Sequence, residues 1–254
     1  MRDTTRDTIR AILASFYAKN APKMKRWTAE NIRVSYPFHR LMFDDEAIVA
    51  ARVERSIVTS MGSSLFRSLG AAVARDRYEL VYTEHDIRGQ LNDAACNMLE
   101  QIVTELRTPV RTRAYERAPD HQREMNEVLG SLGGGLSERI VRADLYIEDF
   151  DGGPLFIELK TPTPNLDMAA ESKRKLLYYL AMQARSNALA QGFVGLTYNP
   201  FGTRDAYAHN FTKQLLDMER QVLIGPELWD MIGGEGAYTE LIALVEEVAA
   251  SMRA

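Results

Sequence analysis

Residues 139–160 read RIVRADLYIE-DFDGG-PLFIELK. The first and last parts are rich in branched, aliphatic and aromatic residues, and the middle part has the composition of a turn. The stretch is therefore predicted to form a β-hairpin. Leu155-Phe156-Ile157 and Leu159 are too apolar for an exposed strand, so the hairpin should lie against a hydrophobic core.

Three polar side chains are expected to converge on one face of this hairpin. If the turn is centred on Asp151, Asp144 lies opposite Glu158 and Tyr146 lies opposite Phe156. Opposed residues have Cβ atoms about 4.5–5.5 Å apart, and alternation along a strand puts Lys160 on the same face as Glu158. The expectation depends on the turn length, because a slip of one residue would move Asp144 to the other face.

This trio of residue types suits phosphodiester hydrolysis. Two carboxylates so close repel each other, and Mg²⁺, which prefers oxygen ligands, neutralises both. A lysine beside the metal orients or deprotonates the attacking water and offsets charge that builds up on the phosphate. We therefore predict Asp144 and Glu158 as metal ligands and Lys160 as the third catalytic residue. The alternative is an exposed surface ion cluster contributing about 0–1 kcal/mol to stability.

The spacing also carries a family resemblance. Asp144, thirteen residues and then Glu158-Leu159-Lys160 resembles the motif of the PD-(D/E)xK nuclease superfamily, with Ala143 where the motif has proline. Further stretches resemble type II restriction endonucleases of the TdeIII-like family. They are Glu54-Arg55-Ser56, Thr59-Ser60-Met61-Gly62-Ser63, Asp144-Leu145-Tyr146-Ile147, Glu158-Leu159-Lys160-Thr161-Pro162, Lys173, Tyr198-Asn199-Pro200 and Val222 to Asp230.

The resemblance implies an α/β (α+β) fold with a mixed central sheet flanked by helices and a helix-rich N-terminal part. It implies Mg²⁺ bound by Asp144 and Glu158, Lys160 assisting the water, and products that carry 5′-phosphate. It also implies a homodimer that cuts double-stranded DNA at a short site of GGNCC type, because a two-fold protein suits a two-fold sequence. A cognate DNA methyltransferase encoded nearby is a further expected partner.

An acid from an upstream helix often completes such metal sites. Glu54 and Glu100 both lie on predicted helices before the hairpin and are the two candidates, between which the sequence does not choose. For Glu54 the alternative is a solvated ion pair with Arg55, and Arg55 and Ser60 are themselves candidates for DNA binding because they lie in the family-like stretch.

Further candidates for DNA binding follow the hairpin. Lys173, with Arg174 and Lys175, begins the next predicted helix, where the three cations either meet phosphates or form an exposed helical face. Asn199 and Arg204 follow an apolar run that ends at residue 197, and loops at strand ends commonly carry ligand contacts. Arg204 suits a bidentate contact with guanine, whereas Asn199-Pro200 is equally typical of an ordinary turn.

Composition sets broader limits. The chain has 254 residues and a formal net charge of −4, so a nucleic-acid partner would have to meet a local cationic surface.

We expect one domain over 1–254, with a helical region at about 1–75 and a catalytic core at about 76–200. The first helix is predicted to end near Pro22. Residues 107–138 are polar and contain five arginines, and the three consecutive glycines at 133–135 are predicted to form a flexible loop.

The single cysteine, Cys96, excludes an intramolecular disulfide. No stretch approaches the roughly 18 apolar residues of a membrane span, and no signal peptide is evident, so a soluble, cytoplasmic protein without a membrane partner is expected.

Two alternative functions remain beside that of a nuclease. One is a nuclease-fold protein that binds DNA without cutting it, and the other is a glycosidase that uses Asp144 and Glu158 without metal.

Overall fold

A computed structural model describes residues 1–108, 117–187 and 189–253. The N-terminal part is helical, with α1 (Asp3–Arg26), α2 (Ala29–Ser35), a 3-10 turn (His39–Leu41), α3 (Asp45–Ser60), a π-helical turn (Met61–Leu65) and α4 (Phe66–Ala74). The middle part contains β1 (Val81–Leu91), α5 (Asp93–Arg107), α6 (His121–Gly130), β2 (Ser137–Ile147) and β3 (Leu155–Lys160). It is followed by α7 (Leu166–Gln183), β4 (Gln191–Leu196), α8 (Asn210–Leu215), β5 (Val222–Ile224), α9 (Pro226–Gly233) and α10 (Ala237–Arg253).

The strands form one five-stranded mixed sheet in the order β1-β2-β3-β4-β5. β1, β2 and β3 are antiparallel neighbours, whereas β3, β4 and β5 are parallel. The connection from β3 to β4 runs through α7, as a parallel pair requires. This mixed sheet with flanking helices confirms the predicted fold class, and its last strand, β5, lies beyond residue 200.

Helices cover both faces of the sheet. On one face, side chains of α5, α6, α7 and α8 pack with Tyr146, Phe156 and Val194. On the other face, side chains of α1, α4, α9 and α10 pack with Leu145 and Ile157. Adjacent residues of the same strands therefore enter different cores, which explains why β3 is apolar on both sides.

One local prediction was wrong, and one helix was not predicted. α1 continues through Pro22 to Arg26, and Lys23 in its last turn donates a hydrogen bond from Nζ to Ser60 Oγ (3.0 Å), which ties this turn to α3. The glycines 133–135 lie in a loop between α6 and β2, as predicted. The polar stretch before them contains α6, for which no helix was predicted; its first turn is capped by Asp120, and its apolar side, Met125 and Val128, is buried. Residues 109–116 of that stretch lie outside the described part of the chain.

Within the described residues, no helix has the length and apolar character needed to cross a membrane.

Candidate active site

The hairpin has the register that the sequence predicts. Leu145 pairs with Ile157, Tyr146 with Phe156 and Ile147 with Leu155. Beyond Leu145 the two strands separate, and the Asp144 carboxylate accepts the backbone N–H of Leu159 at 3.0 Å. The Asp144 side chain thus takes the place of the next backbone hydrogen bond between β2 and β3, and this contact holds its carboxylate beside the end of β3.

Asp144 lies where the in-and-out alternation of β2 slips by one residue. Ala143 and Tyr146 belong to the core on the α7 side, while Leu145 belongs to the opposite core. Successive residues that face the same side of a regular strand are two apart, but Ala143 and Tyr146 are three apart. β1 slips at the same level, because Tyr82 and His85, three residues apart, both stack towards Tyr146. This irregularity changes the direction of the polar side chains at this level of β1 and β2, as β-bulges near active sites do.

Glu84 occupies the corresponding position on β1. Its neighbours Thr83 and His85 pair with Leu145 and Ala143, so Glu84 falls opposite Asp144. Among the described residues it is the one non-glycine residue with a positive φ, 50°. Arg67 of α4 bridges the two acids, with Nη1 2.9 Å from Glu84 Oε1 and 3.5 Å from Asp144 Oδ1.

Lys160 lies between the two predicted metal ligands. Its Nζ is 2.6 Å from Glu158 Oε1 and 3.4 Å from Asp144 Oδ2. A second lysine, Lys175 of α7, donates to both carboxylate oxygens of Glu158, at 3.0 and 2.9 Å. The side chain of Glu158 is only 2 % exposed, compared with 14 % for Lys160 and 17 % for Asp144. The pair therefore forms a partly enclosed ionic site with Asp144 and Lys160 at its open side.

Burial and charge set the protonation states. Burial raises the pKa of Glu158 against the opposing charge of Lys160, and the nearby charge of Asp144 raises this pKa further. Burial lowers the pKa of Lys160, but the Glu158 and Asp144 carboxylates more than offset this, so the net pKa of the lysine is raised. Lys160 is therefore a cation at neutral pH and a proton donor in its resting state.

The donor set suits a hard divalent cation. Two carboxylates converge, yet no three His, Cys, Asp or Glu side chains of the described ranges come close enough together to hold a metal. Mg²⁺ fits such a pair because it commonly takes one or two carboxylates and fills its other positions with water and substrate phosphate.

Neither predicted third acid joins the pair in this structure. The Glu100 carboxylate forms an ion pair with Arg174 of α7, at 2.8 Å. Glu54 is exposed on α3, and its charge adds to burial in raising the pKa of Tyr198, so it faces the loop that follows β4. The acid that the structure does bring next to Asp144 is Glu84, for which the sequence contains no signal.

Two of the predicted DNA contacts are engaged inside the protein. Lys173 is fully buried, with its ammonium paired to Glu124 of α6 and donating to Gln221 at 2.7 Å. The Arg204 guanidinium donates to Glu227 and to the backbone carbonyls of Met218 and Val222. Internal acceptors hold both cations in this structure, so neither Lys173 nor Arg204 is presented to a ligand here, and their phosphate and guanine contacts stay predictions.

The other candidates remain accessible to different degrees. Asn199 is half-buried and closes its own turn, donating to the carbonyls of Gly202 and Thr203, as the ordinary turn predicts. Ser60 accepts from Lys23, and Arg55 is exposed on α3. Of the run 173–175, only Lys175 reaches the site, whereas Arg174 is held by Glu100 and Glu171.

Comparison with known proteins decides the family. The family model described as "Type II restriction endonuclease, HinfI" matches residues 1–249. The chain belongs to the HinfI family of type II restriction endonucleases. This confirms the resemblance at the level of type II restriction endonucleases, the matching model being that of HinfI.

Individual restriction enzymes are similar over most of the chain. The type II restriction enzyme HgiCII of Herpetosiphon aurantiacus is 32% identical over 218 residues, which cover 85% of this chain and 78% of that enzyme. HgiEI of the same organism is 32% identical over 215 residues, covering 84% and 76% of the two chains. MjaII of Methanocaldococcus jannaschii is 26% identical over 203 residues, covering 75% of this chain and 52% of that enzyme.

This restriction endonuclease is therefore a site-specific deoxyribonuclease that acts on double-stranded DNA. Membership of this family argues against both rival functions, a glycosidase and a DNA-binding protein that does not cut. Type II restriction endonucleases generally use divalent metal ions, and the oxygen donors of Asp144 and Glu158 are chemically suited to one.

Proposed function

We propose that this restriction endonuclease hydrolyses DNA with Mg²⁺ held by Asp144 and Glu158, and with Lys160 as the third catalytic residue. The supporting observation is the position of the Lys160 ammonium, which contacts both carboxylates at the end of β3. The resemblance makes a short site of GGNCC type the first sequence to test.

Each side chain has a distinct part in this proposal. Bound Mg²⁺ supplies the Lewis acid that polarises the phosphate and lowers the pKa of a water. Lys160, kept protonated by the two carboxylates, donates hydrogen bonds that orient the attacking water and balances the charge that develops on the phosphate. Asp144 is oriented by the N–H of Leu159, and Glu158 is oriented by Lys175.

The ion pairs indicate how a cation gains access. The 3.4 Å contact of Lys160 with Asp144 is longer than the 2.6 Å contact with Glu158, so the Asp144 side opens at lower cost. Arg67 also lies 3.5 Å from Asp144. A metal held by both carboxylates would take the place of the cations that lie against Asp144 and of the Lys160 contact with Glu158, while Lys175 would still be available to pair with Glu158.

We further propose that the enzyme acts as a homodimer and that a cognate DNA methyltransferase protects the same site. Two copies related by a two-fold axis place one active site on each strand of a two-fold symmetric DNA sequence. A single chain with one Asp144–Glu158 pair offers one such site for the two strands.

The decisive experiment uses unmethylated phage DNA with Mg²⁺ or with EDTA. Wild-type protein should give discrete fragments with ligatable 5′-phosphate ends, and EDTA should abolish them. Asp144→Ala, Glu158→Ala and Lys160→Ala should each reduce the cleavage rate by at least about 100-fold, the scale expected for a lost catalytic group.

The matched control is Glu246→Ala, which removes an exposed carboxylate from α10. It should cleave at the wild-type rate. Undiminished cleavage by Asp144→Ala or by Lys160→Ala would contradict the assigned roles, and undiminished cleavage in EDTA would contradict the need for a metal.

A further inference from the structure

One segment of the chain has a charge opposite to that of the whole. Residues 19–40 contain six lysines and arginines and one acid, Glu30, a net charge of +5. Since the chain carries −4, the other residues together carry −9. The segment covers the end of α1, α2 and the 3-10 turn, and with Arg52 and Arg55 of the neighbouring α3 we call it the basic arm.

Arg52 is held between two aromatic rings of the arm. Its guanidinium carbon is 4.6 Å from the centre of the Trp27 ring and 5.1 Å from that of Tyr36. Its Nε is buried and has no hydrogen-bond partner among the described residues. The rings thus fix the orientation of the guanidinium while no carboxylate of the described chain neutralises it, which differs from the ion-paired Arg174 and Arg204.

Arg55 lies one helical turn further along α3 and borders the same hollow. This hollow, of about 480 Å³, is lined by Tyr36, His39, Phe43, Arg52 and Arg55, among others. Arg55 is exposed and, within the described ranges, forms no ion pair. Fixed guanidinium groups beside aromatic rings are well suited to phosphate oxygens, because the planar fork of donors is oriented before the ligand arrives.

The basic arm is connected to the catalytic end of the sheet. α3 runs directly into the π-helical turn, where a Cβ on Gly62 would lie 3.5 Å from Thr161, the residue that follows Lys160. At about 1.5 Å per helical residue, Arg52 is about 15 Å along the helix from that point. This corresponds to about four base pairs at roughly 3.4 Å each.

We propose that the basic arm binds backbone phosphates of the duplex beside the cleaved bond, with Arg52 and Arg55 as the contacting cations. The inference rests on the proposed function, because it takes the position of the cut from Asp144, Glu158 and Lys160. DNA is favoured over a second copy of the chain as the partner, because two basic arms, each with a net charge of +5 in residues 19–40 and two further arginines, would repel each other.

The test measures binding of a fluorescent duplex containing the cleavage site, in EDTA, over a series of salt concentrations. Arg52→Gln and Arg55→Gln should each make the slope of log affinity against log salt shallower by about one, the contribution of one phosphate contact. Arg185→Gln is the control, since Arg185 is exposed near the C-terminal end of α7, and its slope should equal that of the wild type.

A second measurement uses Trp27 fluorescence. Trp229 is 1 % exposed, whereas Trp27 lies in the arm, so DNA should change an emission component that Trp27→Phe removes. Circular dichroism checks that each variant is folded. Because Arg55 is exposed and unpaired within the described structure, Arg55→Gln tests the inference even if Arg52→Gln disturbs the ring contacts.

The outcomes separate the two proposals. A wild type that cleaves DNA, with unchanged salt slopes for both arginine variants, overturns the role of the basic arm alone. Failure of Asp144→Ala to reduce cleavage overturns the proposed function, whatever the slopes. Variants that change the sedimentation of the free protein but not its DNA affinity would assign the arm to contact between copies, which also overturns the inference.

Discussion

Glu84 combines an unfavourable backbone conformation with a position opposite Asp144. Its φ of 50° is rare for a residue with a Cβ, and such strain costs about 1–3 kcal/mol. The ion pair with Arg67 offsets only part of this cost, because the Glu84 side chain is 58% exposed and exposed ion pairs contribute little to stability. Because this strained residue lies beside the proposed catalytic pair, we expect its carboxylate to contribute to function.

Replacing Glu84 should therefore separate stability from activity. Glu84→Gly removes the strain and should raise the free energy of unfolding by about 1 kcal/mol, while cleavage slows because Arg67 loses an acceptor beside Asp144. Urea denaturation and cleavage rates provide the two measurements. Glu84→Gln keeps the Cβ and is the control, so equal stability of the Gly and Gln variants would show that the backbone is not strained.

Lys175 should control the pH dependence of cleavage through Glu158. Burial holds the pKa of Glu158 above its usual value, and Lys175 is one of the charges that lower it. Glu158 must be ionised to hold a metal, so activity should fall as the pH falls through its pKa. Lys175→Met should raise that pKa further and shift the acid limb of the kcat/KM profile to higher pH.

The profiles are compared at saturating Mg²⁺, with Lys213→Met as the control because Lys213 is an exposed lysine of α8. A uniform loss of activity at every pH, with the limb unmoved, would show that Lys175 acts on DNA rather than on Glu158.

The residues of the site differ in how far the sequence predicts them. Asp144, Glu158 and Lys160 lie on one hairpin, whose turn length determines their register, so local rules bring them together. Arg67 and Lys175 reach the site from α4 and α7, and their contacts depend on helix packing. The position of Glu84 beside Asp144 depends on an irregular alternation of side chains in β1 and β2 at the same level, which no local sequence pattern predicts.

At the scale of elements, a buried ion pair joins α6 to α7. The side chains of Lys173 and Glu124 are both 0% exposed. Burial lowers the pKa of Lys173 to about 8, although the Glu124 carboxylate opposes this shift. Lys173 was expected at the surface because α6, the helix that supplies its partner Glu124, was not predicted from the sequence.

Removing one member of this pair should destabilise the protein strongly. Lys173→Met leaves the Glu124 charge buried without its partner and should lower the free energy of unfolding at neutral pH by about 3–5 kcal/mol. Lys173→Met combined with Glu124→Leu should recover most of that loss, because no buried charge then remains. If the double variant were as unstable as the sum of two single changes in urea denaturation, the pairing would be contradicted.

At the scale of the whole molecule, the two ends of the chain pack together. Arg6 and Arg10 of α1 form ion pairs with Glu240 and Glu247 of α10, and Ile9 between them is fully buried. The two helices belong to one core with α4, α9 and one face of the sheet. The first helix was predicted from the sequence, but its contact with α10 spans almost the full length of the chain and has no local signal.

This shared core leads us to propose that residues 1–254 unfold as a single domain. The sheet supplies Leu145 to one core and Tyr146 to the other, so loss of either helical layer exposes strands that the remaining layer cannot cover. Ile9→Ala should therefore lower the free energy of unfolding of the whole protein by about 2–5 kcal/mol, although Ile9 lies in the N-terminal helical region.

The measurement compares two probes in one Trp27→Phe background. Far-ultraviolet circular dichroism reports all helices, while fluorescence then reports Trp229, which donates from Nε1 to the carbonyl of Thr197. A single domain gives coincident urea transitions, and Ile9→Ala shifts both to lower urea by the same amount. An independent N-terminal domain would give a dichroism transition that Ile9→Ala moves while the Trp229 transition stays in place.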